Sequence, residues 1–150
     1  MNYLQLCQRL RAECQDIGIG PTSVQSAASR DQNYIQAIRE AWLEIQLLRS
    51  DWNFWPATPT AYTALAPQLL AVDADIPFIP EQYHPAIVYF ALGQRALTAS
   101  APELVEKSNQ MWSRYYSMLV NRYTGEITVG KTAVPVYNNG LFSVGEELAQ

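Results

Sequence analysis

Few residues in this sequence have side chains that could carry catalytic or metal chemistry. It contains one histidine, His84, and two cysteines, Cys7 and Cys14. The cysteines lie seven residues apart in a segment with helical periodicity, which places them about 10 Å apart along a helix axis and beyond the reach of a disulfide. A zinc site of the usual kind would need His84 and both cysteines together, and no local signature indicates a nucleophile and base. We predict no metal, no cofactor and two reduced thiols, as is typical of cytoplasmic proteins.

Carboxylates and glycines offer two further candidates for chemistry. Asp73 and Asp75 lie two residues apart in an extended segment, so their side chains would share one side and could act as paired acids or hold a cation. The alternative, which we favour, is a solvated acidic loop. Gly18 and Gly20 are followed by Pro21 with no strand before them, which does not fit a phosphate-binding loop. The sequence therefore predicts a protein that is not an enzyme.

Composition narrows the classes of partner. The chain has 150 residues, a formal net charge of −4 and 49% hydrophobic residues, enough for one packed domain. Lysine occurs only at positions 107 and 131, and arginines are scattered, so no basic surface for nucleic acid is expected. No apolar run reaches the roughly 18 to 20 residues of a membrane span, and the opening segment lacks the pattern of a signal peptide. We expect a cytoplasmic protein without a membrane partner.

Apolar residues recur at spacings of three and four in four segments, which predicts four helices. The first is expected from Tyr3 to Ile17, with a Gly-Pro stop after it, and the second is expected to begin with Ser29 or Asp31 as its cap and to end near position 50. The third is expected from Pro80 or Glu81 to about position 100, and the fourth from about position 102 to 123. The buried stripes are expected to include several residues near helix ends. These are Ile17, Leu48, Leu97 and Met118.

The segment 56–80 holds five of the nine prolines and cannot form a long helix. Short strands or extended segments at 62–65 and 69–72 are the alternatives there. A very short turn between the third and fourth helices indicates an antiparallel pair. We predict a mainly α fold, an up-down bundle of about four helices, with an irregular proline-rich middle segment and an extended C-terminal arm.

Two regions are predicted to contact other proteins. Residues 124–150, outside a helical domain at 1–123, combine β-prone residues with glycine and proline and cannot form a core, so this arm is expected to become ordered on the surface of another protein. Trp52, Phe54 and Trp55 follow the second helix in a loop, where they either fold back under that helix or face a partner. The predicted interface residues of the arm are Ile127, Val129, Val134, Val136, Tyr137, Leu141 and Phe142.

Two sets of segments resemble the head-to-tail adaptor (connector, head-completion) proteins of tailed bacteriophages. One set is YLQLCQRL at 3–10, the Gly-Pro at 20–21, AWLEIQ at 41–46 and the tryptophans after it; the other is DIPFIPEQYH at 75–84, running into the third helix. Together they cover about the first two thirds of the chain. The segment 56–80 departs from the family because it is shorter than the strand-bearing insertion of many relatives.

The resemblance implies a structural virion protein that forms a ring beneath the portal, expected to be twelvefold, joins the capsid to the tail and extends the DNA channel. Its partners would be the portal protein, copies of itself and a distal neck or tail protein, with DNA passing without specific binding. The protein would be made in the host cytoplasm and located at the head-tail neck. The alternatives are a generic cytosolic helical interaction module and a small-ligand binding protein with a pocket near His84, between the third and fourth helices.

Overall fold

The computed structural model of the protein describes residues 1–18, 20–49, 52, 54 and 67–124. These residues form four α-helices, α1 (Tyr3–Glu13), α2 (Ser29–Leu47), α3 (His84–Thr98) and α4 (Pro102–Tyr123). A 3₁₀ turn, Glu81–Tyr83, leads directly into α3. Within the described ranges there is no strand, only an isolated antiparallel bridge between Trp52 and Thr124. The prediction of a mainly helical fold is confirmed.

Helix α3 is the central element of the fold. It packs on α1, α2 and α4, whereas α4 makes its extensive helix contacts with α3 alone in the part of the chain that the structure describes. Small residues make this possible, since Ala86 and Ala91 are fully buried on α3. Gly93 faces α4 so closely that an added Cβ would lie 3.1 Å from Ser108 Oγ. The result is a layer of α1 and α2 on α3, with α4 completing an antiparallel hairpin.

The first helix is shorter than its periodicity predicts. It ends at Glu13, Cys14 caps it, and Gln15 turns the chain with a φ of 57°. The predicted extension to Ile17 is therefore wrong, and that side chain is 91% exposed. The physical reason is Arg11, whose Nη2 donates to the Ile17 carbonyl at 2.6 Å and holds the chain in a loop instead of a further helical turn.

Other predicted boundaries are closer to the structure. Helix α2 begins at Ser29, although Ala28 occupies the cap position without a side-chain hydrogen bond, so neither Ser29 nor Asp31 is the cap. Helix α4 ends at Tyr123, as predicted. The predicted burial of Leu48, Leu97 and Met118 is wrong, since all three are exposed. Leu48 lies just beyond the end of α2, and Leu97 lies in the last turn of α3. Met118 lies on the side of α4 that faces away from α3.

The proline-rich middle is described only from residue 67. Residues 69–72 are irregular, so the alternative of a strand there is excluded, and residues 62–65 lie outside the described residues. The arm at 125–150 lies outside them as well, with all seven predicted interface residues from Ile127 to Phe142.

Candidate interaction surfaces

His84 is a buried residue at the first position of α3. Its Nε2 lies 2.8 Å from the Ile79 carbonyl oxygen, so this nitrogen carries the proton, and its Nδ1 lies 2.9 Å from the Met1 amine. The same amine lies 2.8 Å from Glu81 Oε1. Burial lowers the pKa of His84 below its ordinary value. The imidazole therefore links the chain start to the turn that begins α3.

Cys7 and Cys14 are not poised for reaction. Cys7 is buried between α1 and its neighbours, and burial raises the pKa of its thiol to about 12. Burial also raises the pKa of Cys14. Thiolates are the reactive form of cysteine, so both residues remain thiols at neutral pH. No cluster of three or more His, Cys, Asp and Glu side chains that could hold a metal occurs among the described residues.

Asp73 and Asp75 hold the backbone of their loop in place. Asp73 Oδ1 accepts a hydrogen bond from the Val24 amide at 2.6 Å. Asp75 Oδ2 accepts one from the Val72 amide at 2.8 Å. The carboxylates thus have separate backbone partners, which does not fit the paired-acid alternative. The two carboxylates are therefore not arranged as a pair of catalytic acids. Both are half-buried in a loop whose other residues are largely exposed, as the solvated-loop prediction expects.

The hydrogen bonds of Gln68, which sequence reasoning did not identify, fix the same loop. Its Oε1 accepts from Trp42 Nε1 at 3.0 Å and from the Phe78 amide at 3.1 Å, and its Nε2 donates to the Ile76 carbonyl at 2.8 Å. Its backbone amide donates to Gln46 Oε1 at 2.8 Å. A single glutamine therefore connects both ends of the loop to α2. The sequence signal for this role is weak, because Gln68 and Trp42 are 26 residues apart in the chain.

The loop after residue 67 presents apolar side chains to solvent although its backbone is well bonded. We call four of these residues the loop patch. They lie within a single stretch from position 69 to 78, and each is between 41% and 63% exposed. Groups of exposed apolar side chains are frequent at interaction sites. The residues of the loop patch are Leu69, Val72, Ile76 and Phe78.

Trp52 and Phe54 fold back into the protein, which decides between the two alternatives left by the sequence. Their side chains are only 4% and 8% exposed. Trp52 Nε1 donates to the Ile45 carbonyl at 3.0 Å, and the Phe54 ring lies between Trp42 and Tyr123 at centroid distances of 5.8 and 5.6 Å. They are not a loop interface, and they join α2 to α4. Trp55 lies outside the described residues.

Two hollows open on the surface of the described part of the chain. Both are shallow, with volumes of about 270 and 260 Å³, one between α2 and α3 and one at the turn joining α3 to α4. Neither is lined by His84. The first is lined by Asn33, Gln36, Ala37, Glu40, Gln94, Arg95 and Thr98, and the second by Ala96, Leu97, Ser100, Ala101, Pro102 and Val105.

Compared with known proteins, the chain matches no family model, no curated protein and no solved structure. Among the helices of the described residues, none combines the length and apolarity needed to cross a bilayer.

Proposed function

We propose that this protein is a head-to-tail adaptor of a tailed bacteriophage, a structural subunit that forms a ring beneath the portal and extends the DNA channel toward the tail. The observation that carries the proposal is the loop patch. Four apolar side chains are exposed on a loop whose polar groups bond inward to α2. A loop that is already ordered loses little conformational entropy when it binds, which suits a surface built for docking.

The loop patch also lies within the segment that carries the family resemblance. Ile76 and Phe78 belong to 75–84, the proline-flanked entry to α3. The portal protein is the proposed partner of this surface, and the arm at 124–150 is a second contact to the portal or to a neighbouring subunit. The net charge of −4 suits a channel wall along which DNA slides without adhering.

Binding to portal rings tests the proposal directly. Full-length protein is mixed with purified rings of the portal protein encoded in the same genome, and the pellet is quantified after sedimentation. The double variant Ile76→Ser/Phe78→Ser is expected to bind about tenfold to a hundredfold more weakly. Full burial of an apolar side chain contributes about 1.5 to 3 kcal/mol, and about half of each side chain is still exposed before docking. Leu97→Ser, an exposed apolar position in the last turn of α3, is the matched control and should bind normally.

The arm is tested separately. Deleting residues 126–150 is expected to abolish binding to portal rings while the helical circular dichroism signal remains. Unchanged binding would refute the role of the arm. Failure of the intact protein to sediment with portal rings would refute the adaptor function itself.

A further inference from the structure

One side of α4 carries two arginines that have no acidic partner within the described residues. Arg114, Met118 and Arg122 follow one another at intervals of four residues, which puts them on one side of a helix. All three are exposed, Met118 by 40%. Lys107, two turns before Arg114 on this side, pairs with Glu13 at 2.7 Å, whereas neither arginine forms an ion pair with any described residue. We call Arg114, Met118 and Arg122 the basic stripe.

The outer side of α2 has the complementary composition. Glu40, Glu44 and Leu47 lie three and four residues apart and are exposed, Leu47 by 65%. Their carboxylates accept hydrogen bonds from neutral amides only, Glu40 from Gln36 at 2.8 Å and Glu44 from Gln94 at 2.9 Å. In the described part of the chain no cation lies within ion-pair distance of either. We call Glu40, Glu44 and Leu47 the acidic stripe.

The two stripes lie on helices that do not pack extensively on each other. Both α2 and α4 pack on α3, and Trp52 and Phe54 fill the space between them. The stripes therefore do not neutralise one another inside one molecule. Each remains available as one half of a contact whose other half lies on another copy.

Contacts of this type generate rings. When two different surfaces of one chain are complementary, each copy binds the next head to tail, and the series closes if the rotation permits. Each stripe combines an exposed large apolar side chain with two charges of one sign, so that a contact between them would join apolar and charged groups. Opposite charges favour the correct pairing, and like charges oppose basic-to-basic or acidic-to-acidic pairing.

We infer that the basic stripe of one copy binds the acidic stripe of a second copy, and that this heterologous contact joins neighbouring subunits. The inference specifies the self-contact of the adaptor ring and so rests on the proposed function. It assigns the ring contact to the outer sides of α2 and α4, with the loop patch remaining for the portal.

Charge reversal tests this pairing with the full-length chain. Self-association is measured by sedimentation velocity over a range of concentrations at low ionic strength, for the wild type and for Glu40→Arg/Glu44→Arg and Arg114→Glu/Arg122→Glu. Each double variant presents like charges on both stripes and is expected to self-associate about a hundredfold or more weakly than the wild type. Adding salt should weaken the wild-type association, since exposed charges are screened.

Mixing the two charge-reversed variants tests whether the two stripes bind each other. In a 1:1 mixture the stripes of one variant are complementary to those of the other, so alternating assemblies should form although each variant alone does not assemble. The matched control is Glu103→Arg/Glu106→Arg, which makes the same change in net charge as Glu40→Arg/Glu44→Arg but on the first turns of α4, about two to three turns before Arg114. It should self-associate like the wild type, and circular dichroism verifies that every variant is folded.

The possible results separate this inference from the adaptor function. Association of both reversed variants at wild-type strength, no recovery on mixing, or a wild-type chain that stays monomeric at all concentrations would each overturn the stripe contact. If wild-type protein still sediments with portal rings in those cases, the adaptor function stands with a different ring contact. Recovery on mixing without any portal binding would support the stripe contact and reject the adaptor function.

Discussion

Arg11 is a charged side chain that the fold places almost out of solvent, at 8% exposure. Its guanidinium donates to the Ile17 carbonyl and lies 3.5 Å from Asp31 Oδ1 at the start of α2. The loop passes so close that a Cβ on Gly18 would lie 2.7 Å from Arg11 Nη2, and Gly18 has a φ of 119°. One arginine therefore determines the end of α1, the conformation of the loop and the approach of α2.

Replacing this arginine tests its role. Arg11→Met is expected to lower the free energy of unfolding by about 2 kcal/mol, because the Ile17 carbonyl and the partly buried Asp31 carboxylate lose a charged donor. Urea unfolding followed by circular dichroism measures the change. Arg114→Met, at an exposed position, should change the stability of the monomer by less than about 0.5 kcal/mol. Equal effects of the two substitutions would show that the Arg11 contacts contribute nothing.

His84 gives stability a dependence on pH. Burial lowers its pKa in the folded state, and the groups facing its ring are the Ile79 carbonyl, the Met1 amine and Glu81. The unfolded chain therefore binds the proton more readily, so this contribution to stability is complete above the ordinary histidine pKa of about 6.5 and declines as the pH falls below it. Urea titrations between about pH 7.5 and 5 should show this decline in the wild type. His84→Gln should flatten it, and equal slopes would contradict the assignment.

At the scale of elements, the close approach of α3 to α4 depends on Gly93. An added Cβ would meet Ser108 Oγ at 3.1 Å but Ser108 Cβ at an ordinary 3.6 Å. Gly93→Ala alone is therefore expected to give no stabilisation or a loss, since the serine hydroxyl must move from its bond to the Val105 carbonyl. In a Ser108→Ala background the same change should stabilise by up to about 1 kcal/mol, the difference between glycine and alanine inside a helix. Additive effects in thermal unfolding of the four proteins of this cycle would exclude the contact.

The sequence predicted these elements wherever the determining signal was local. Helix α4 has a proline at its start and a change of periodicity at its end, and its predicted bounds match the structure. The end of α1 was missed because the side chain that stops it, Arg11, acts through a loop and through α2. Trp52 and Phe54 could not be assigned as core or surface, because their position depends on ring contacts with α4, far along the chain. The loop patch was missed for a related reason, since Gln68 acts through α2.

At the scale of the whole molecule, the packing predicts unequal local stability. Helix α3 is covered by three helices, while α4 is held by α3 and by the aromatic contacts of Trp52 and Phe54. Local opening is easiest where few buried contacts must break. Hydrogen exchange measured by mass spectrometry should therefore show the slowest exchange in α3 and faster exchange in α4, and equal rates would contradict this hierarchy.

The same measurement on assembled protein links packing to assembly. If copies join through the acidic and basic stripes, the amides of α2 and α4 should become more protected on association, because a new partner covers the outer sides of both helices and suppresses their opening. Helix α3 is already enclosed and should change little. The variant Arg114→Glu/Arg122→Glu, measured at the same concentration, is the reference for unassembled protein. Protection that appeared only in the loop patch would instead assign the contact between copies to that surface, leaving the outer sides of α2 and α4 free.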